Sequence, residues 1–256
     1  MAATVRPSRV TLSLGEQHTA RAVRARVGRG PGASYLRDVI YGAIDGTVTT
    51  FAVVAGVAGA GLSDTVVIVL GFANLVADGF SMAVSNFLGA RAEDQQRERA
   101  RRREERHIEL VPDGEREEVR QVFAAKGFVG RDLERVVDVL TSDRRVWLDT
   151  MMSEELGYGA DSKDPVRAAT ATLVAFVIVG FLPLAVFVYD LVLPGDVAQP
   201  FLWSAAMTAV AFFAVGALKG RFVEQAWWRS GLETLTVGGL AAGLAFAVGV
   251  ALAGVA

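Results

Sequence analysis

The sequence predicts an all-α, polytopic membrane protein with five transmembrane helices and a soluble three-helix insert between the second and the third. Three observations carry this. The chain of 256 residues is 52% hydrophobic, with a mean hydropathy of +0.36, yet its 26 basic and 28 acidic residues crowd into the amino-terminal arm and one central block. Five stretches approach or exceed the roughly 20 apolar residues that a helix needs to cross about 30 Å of hydrocarbon. Lysine and arginine also fall on alternate connections between those stretches, as oriented membrane helices require.

The arm, residues 1–34, carries Arg6, Arg9, Arg21, Arg24, Arg26 and Arg29 without the continuous apolar core of an export signal. It reads as a disordered start leading into a short, basic, interfacial helix. The first two spans, Leu36 to Gly61 and Asp64 to Ala90, fall within residues 35–90. Asp45, Asn74, Asp78 and Asn86 weaken them by hydropathy. Gly42 and Gly46 form a GxxxG in the first span, which allows either a seam between subunits or tight packing inside one. Residues 91–165 are the insert. Residues 166–256 hold three further spans, Arg167 to Leu193, Pro200 to Lys219 and Gly231 to Ala256, with a kink predicted at Pro183.

Topology follows from charge. Arginines precede the first span and crowd the segment after the second, and Lys219, Arg221 and Arg229 lie between the fourth and fifth. The connections near Gly61 to Asp64 and Pro194 to Pro200 have no lysine or arginine. By the positive-inside rule the amino terminus and the insert are cytoplasmic and the carboxy terminus is not.

Between Arg91 and Ala160 there are 14 basic and 17 acidic residues in 70. Helical apolar spacing with breaks at Pro112-Asp113-Gly114 and Lys126-Gly127 predicts helices at 92–109, 115–125 and 131–157, the last broken near Ser142-Asp143. The first is expected to continue straight out of the second span, because no proline or glycine separates Gly89 from Glu109.

The chemistry begins with Asp45. A carboxylate at membrane depth is expensive, so it reads as a substrate or ion site, with a structural hydrogen-bonding role as the plainer alternative. Asn74, Asp78 and Met82 are spaced i, i+4, i+8 on one helix face, offering an amide, a carboxylate and a thioether. That mix of hard and soft ligands suits a transition-metal cation. In the insert Glu104 and His107 are i, i+3 on one helix and Glu115 and Glu118 are i, i+3 on the next. Carboxylates with one imidazole suit Fe2+, Mn2+, Co2+ or Zn2+, although a charged helix face is often only solvated. Met151 and Met152, beside Glu154 and Glu155, either pack the insert or add thioether ligands. There is no cysteine, which excludes disulfides and thiolate metal sites.

The stretches Asp38-Val39-Ile40-Tyr41-Gly42-Ala43-Ile44-Asp45-Gly46, Ala77-Asp78-Gly79-Phe80-Ser81-Met82-Ala83 and Met151-Met152-Ser153-Glu154-Glu155-Leu156-Gly157, with the acidic insert among them, resemble the vacuolar iron transporter family from about Tyr35 onward. The resemblance implies a five-helix homodimer exporting Fe2+ from the cytoplasm in exchange for protons, with a cytoplasmic metal-binding insert. It implies translocation through Asp45 and Met82, and insert ligands Glu104, Glu115, Glu118, Met151, Met152 and Glu155. His107 stands where a glutamate is expected. Glu105 and Glu109 would substitute if the register shifts by a residue, and Glu154 would similarly replace Glu155.

In the mechanism so implied, ionised Asp45 binds the cation with Met82, and protonation of Asp45 from the far side releases it. Asp78 and Glu233 are secondary candidates for proton relay, or else helix-helix partners. The expected partners are divalent metal ions, protons, the lipid bilayer and a second copy of the chain. Neither nucleic acid nor a prosthetic group is expected. The Arg- and Ala-rich composition points to a prokaryotic plasma membrane. A di-iron carboxylate enzyme would need two Glu-x-x-His motifs, and only Glu104 to His107 supplies one. A metal sensor anchored by its spans would have no use for Asp45 and Met82.

Overall fold

The computed structural model describes residues 18–27, 34–159, 163–193, 195 and 197–254. All regular elements among them are helical. They are α1 (Ala20–Val27), α2 (Leu36–Gly59), α3 (Asp64–Leu110), α4 (Pro112–Ala125), α5 (Gly130–Thr141), α6 (Arg144–Thr150), a π-helical turn (Met151–Glu155), α7 (Pro165–Gly180), α8 (Leu182–Val192), α9 (Pro200–Phe222) and α10 (Trp227–Leu252). The expected short helix of the arm corresponds to α1, while the expected disordered start lies outside the described residues. The chain forms two compact units, Ser34–Glu98 with Lys163–Ala256 and Met1–Ala33 with Arg99–Ser162, and α3 contributes to both.

In the first unit, α2, α3, α9 and α10 are each long and apolar enough to cross a membrane. Helices α7 and α8 pass the same test together as one span bent by 51°. The break falls at Phe181, two residues before Pro183, so the kink stands where the proline removes a backbone donor from the ladder. Counting the bent pair as one gives five spans, and the chain is an integral membrane protein. Valines, leucines and aromatics such as Val76, Phe80, Val210, Leu240 and Leu244 stand outward, as a lipid-facing surface requires.

Lipid tails are as apolar as the protein core, so close backbone approach, more than apolar burial, holds such helices together. The glycines of α2 supply it within the chain. A Cβ at Gly42 or Gly46 would overlap the backbone of Thr172 or Phe176 on α7, and Gly56 and Gly59 meet α10. Of the two uses open to this GxxxG, packing inside one subunit is the one observed. Around these contacts Phe51, Val54, Leu75, Phe176, Leu184 and Phe187 form the buried core. Buried hydroxyls return their protons to the preceding turn, as Thr47 does to the Ala43 carbonyl at 2.7 Å and Thr208 to that of Ser204 at 2.7 Å.

One polar network in this unit has no counterpart in the sequence reading. The buried Asp38 carboxylate accepts from Asn86 Nδ2 at 3.2 Å and from Lys163 Nζ at 3.1 Å. Asn86 also donates to Thr172 Oγ1 at 2.6 Å and to the Ala168 carbonyl at 3.2 Å. Asp38→Ala strips a buried amide and an ammonium of one acceptor, for an expected loss of about 1–3 kcal/mol. Lys163→Met is expected to cost at least as much, because it leaves the buried Asp38 carboxylate without its ammonium partner, whereas the lysine left by Asp38→Ala is 35% exposed and can be hydrated. Thermal unfolding in detergent micelles checks the order of the two.

In the second unit, α3 runs unbroken from the apolar stretch to Leu110, as the absence of a helix breaker predicted. The Pro112-Asp113-Gly114 triplet differs from expectation, since it opens α4 instead of separating two helices. Proline tolerates the first helical position, where its missing N–H is not needed, and the chain turns one residue earlier at Val111. The predicted third helix is divided at Ser142-Asp143, with Asp143 Oδ1 accepting from the backbone of Arg145 at 2.8 Å and Val146 at 3.1 Å to cap α6. Ile108, Val119, Val137, Trp147, Leu148, Met151 and Met152 form its core.

Candidate metal centre

In the second unit, Glu104 and His107 project from α3 on one face, because i and i+3 lie one turn apart, and Glu115 stands in the first turn of α4, close to both. One ligand atom from each of these three side chains lies within 4.8 Å of the others. His107 Nδ1 is 3.1 Å from Glu115 Oε1, and Glu115 Oε2 is buried without a hydrogen-bond partner. Glu104 and Glu115 are almost fully buried, whereas the His107 side chain is 47% exposed. A buried carboxylate oxygen with no partner is costly and is the donor a cation would satisfy.

Around a cation held at about 2.1 Å, adjacent octahedral ligands stand about 3.0 Å apart and opposite ones about 4.2 Å. The observed spacings therefore need only a small inward movement of side chains. Glu118 and Glu155 complete the acidic surroundings: Glu118 and Glu104 act electrostatically on both Glu155 and Glu115. Glu155 reaches them from the π-helical turn, in which the Leu156 amide bonds the Met151 carbonyl at 3.2 Å. Such wide turns recur at functional sites.

The alternatives in register face elsewhere. Glu105 pairs with Arg101 at 3.3 Å, Glu109 with Arg144, and Glu154 with Lys126. Met151 and Met152 are buried against Trp147 and Leu148 in the core of this unit, where the plainer of the two readings put them.

Burial and the charges of Glu118 and Glu104 raise the Glu115 carboxyl from 4.5 to about 7, with His107 opposing. Burial and the same two glutamates also push Glu155 upward. A native pKa above the unfolded value gives stability that is complete below about 4.5 and lost as the pH rises through about 7. The chelated protein is thus expected to melt at a higher temperature at pH 5.5 than at pH 8, and Glu115→Gln to flatten that dependence. A melting temperature that rises with pH in the wild type, or the same profile in both proteins, would count against the arrangement.

In the first unit, Asp45 is half-buried on α2 and lines a cavity of about 720 Å³ with Arg37, Tyr41, Lys219 and Phe222. Asp78 on α3 is close enough to act on it electrostatically. Asn74, one turn before Asp78, donates to Thr49 Oγ1 at 3.2 Å and Thr50 Oγ1 at 3.3 Å on α2. Met82 packs against the apolar core one turn beyond Asp78. Asp45, Asn74 and Asp78 thus gather along facing stripes of α2 and α3. Glu233 pairs with Lys219 at 3.3 Å, in keeping with a helix-helix partner. Thr49 and Thr50 went unread in the sequence. Thr49 stands four residues after Asp45 on the same face, which is the signal that marks it.

The sequence model of the VIT family matches residues 36–250. A protein of Toxoplasma gondii named vacuolar iron transporter is 35% identical over 225 residues, covering 85% of this chain and 74% of its own. Vacuolar iron transporter 1 of Arabidopsis thaliana is 33% identical over 212 residues, covering 82% of this chain and 83% of its own. The vacuolar iron transporter of Plasmodium falciparum is 30% identical over 223 residues, covering 85% and 82%. These relatives are eukaryotic and lend no support to a prokaryotic plasma membrane.

Proposed function

The chain belongs to the VIT family, and from that premise we propose that it carries Fe2+ out of the cytoplasm in exchange for protons, as a homodimer whose insert is cytoplasmic. The names of its relatives support an iron transporter and not an enzyme. The observation that carries the reading is Asp45, a carboxylate on an apolar helix that lines a cavity and faces a second carboxylate, Asp78. Such a pair is costly at membrane depth unless a cation or a proton shares it.

In this reading Glu104, His107, Glu115, Glu118 and Glu155 capture the ion from the cytoplasm, with Met151 and Met152 behind them. Asp45 binds it within the spans, Met82 contributes a thioether, and Asn74 and Asp78 complete the path. Protonation of Asp45 from the other side releases it. Mn2+, Co2+ and Zn2+ fit the same donors and are the competing cargoes.

Uptake of Fe2+ under anaerobic conditions into proteoliposomes with an imposed pH gradient tests the proposal. Flux should follow the gradient and collapse with a protonophore. Movement indifferent to pH would remove the proton coupling, and no movement of any divalent metal under any gradient would remove the transporter reading.

A further inference from the structure

Of the five polar groups gathered at the insert centre, Glu104, Glu115, Glu118 and Glu155 are carboxylates and His107 alone is an imidazole. Carboxylates are hard donors that accept Mg2+, Ca2+ and Mn2+ as readily as iron. A site of carboxylates alone distinguishes these ions chiefly by size and charge. Imidazole adds a borderline nitrogen donor, whose preference climbs from Mn2+ through Fe2+ and Co2+ to Ni2+ and Cu2+ and falls back at Zn2+.

The position of His107 makes this more than a compositional remark. Its Nδ1 is the nitrogen that faces the carboxylates, 3.1 Å from Glu115 Oε1 and so at the separation of two neighbouring ligands on one ion. Next to it stands Glu115 Oε2, buried and unpartnered. Glu104, at 2% exposure, and Glu115, at 3%, form the closed floor of the centre, and His107 stands on its open rim. Met151 and Met152, at 1% and 5% exposure, are packed in the core and do not share that rim. Arg103 Nε donates to Glu104 Oε1 at 3.1 Å and His107 Nδ1 is engaged with Glu115 Oε1, so Glu115 Oε2 is the buried oxygen left without a partner, and a cation bound there would take the place of the His107–Glu115 contact.

We propose that His107 sets the selectivity of this chain, favouring Fe2+, Co2+, Ni2+ and Zn2+ over Mn2+, Mg2+ and Ca2+. The inference rests on reading the insert as the site that captures the cargo. It narrows the cargo to late first-row ions and makes Zn2+ and Co2+ the strongest competitors of Fe2+.

The test is competition titration of the purified full-length protein, stripped of metal, with Fe2+ under anaerobic conditions, Co2+, Zn2+, Mn2+ and Mg2+. His107→Glu keeps a donor at the position and replaces nitrogen by oxygen, while His107→Gln removes the strong donor altogether. Both should lower the ratio of Zn2+ to Mn2+ affinity by at least about tenfold, the lower end of what altered ligation does to a metal site. His107→Glu should retain Mn2+ binding. The ligand-field absorption of bound Co2+ should shift between the wild type and His107→Glu, a signature that a merely structural histidine would not give. An exposed rim position tolerates both changes, and unaltered melting of the chelated proteins verifies this. Equal affinity ratios and an unshifted Co2+ spectrum would overturn the assignment while leaving the capture site standing. A wild-type protein that binds none of these ions would overturn both.

Discussion

Asp45→Ala protein is expected to show no metal flux above that of protein-free liposomes, while full-length protein carrying the change still binds metal at the insert. The two halves of this result follow from different parts of the chain. Asp45 lies on α2 in the membrane unit, and Glu104, His107 and Glu115 lie in the other compact unit. Stability separates a transport role from a structural one. An aspartate near the centre of a spanning helix costs roughly 2.5–3.5 kcal/mol when it has no partner. Among the described residues no hydrogen bond or ion pair of the Asp45 side chain is found, and Asp78 only repels it. Removing it should therefore leave the melting temperature unchanged or raise it. A structural Asp45 would give the reverse, a destabilised protein whose flux falls only in proportion to the folded fraction. Asp45→Asn sharpens the contrast, because it keeps the shape and loses the charge that both cation and proton require. Substantial flux through Asp45→Asn would end the exchange mechanism.

What could be read from sequence was what local pattern decides. Hydropathy located the spans, the lack of a breaker between Gly89 and Glu109 anticipated the 47-residue α3, and Pro183 marked the bend of the third span. The spacing of Glu104 with His107 and of Glu115 with Glu118 was likewise visible, because helical periodicity alone puts each pair on one face. The choice among Glu104, Glu105 and Glu109 was not. All three are glutamates on one helix, and what separates them is their partners and burial: Arg101, one turn back on α3, pairs with Glu105, Arg144 on α6 pairs with Glu109, and Glu104 is buried, the last two being tertiary facts. The network of Asp38 with Lys163 escaped for a similar reason, since its partners are 125 residues apart and neither is unusual where it stands. The π-helical turn has no sequence pattern of its own. It becomes visible only with the Met151 carbonyl bonded to the Leu156 amide.

Gly46→Val is expected to prevent the membrane unit from reaching its folded state, the largest structural effect of any single change considered. The contact between α2 and α7 is reciprocal: a Cβ at Gly46 would overlap the Phe176 carbonyl oxygen, and one at Gly180 would stand 2.7 Å from the Gly46 carbonyl oxygen. Backbone meets backbone on both sides, so no rotamer change relieves the clash and the helices must separate. Separation also opens the core around Phe176, which has no exposed surface. Overpacking a core costs typically 1–3 kcal/mol where side chains can yield, and here they cannot, so the loss should exceed that range. Gly243→Ala is the control, because a Cβ there meets nothing within 4 Å and alanine favours the helix by up to about 1 kcal/mol. Size-exclusion profiles and melting curves in detergent should show aggregated or unfolded Gly46→Val beside an intact Gly243→Ala. If the GxxxG were instead a seam between subunits, Gly46→Val would yield a folded monomer with wild-type melting. That result would move the glycines from the inside of the chain to its surface and take the α2–α7 crossing with them.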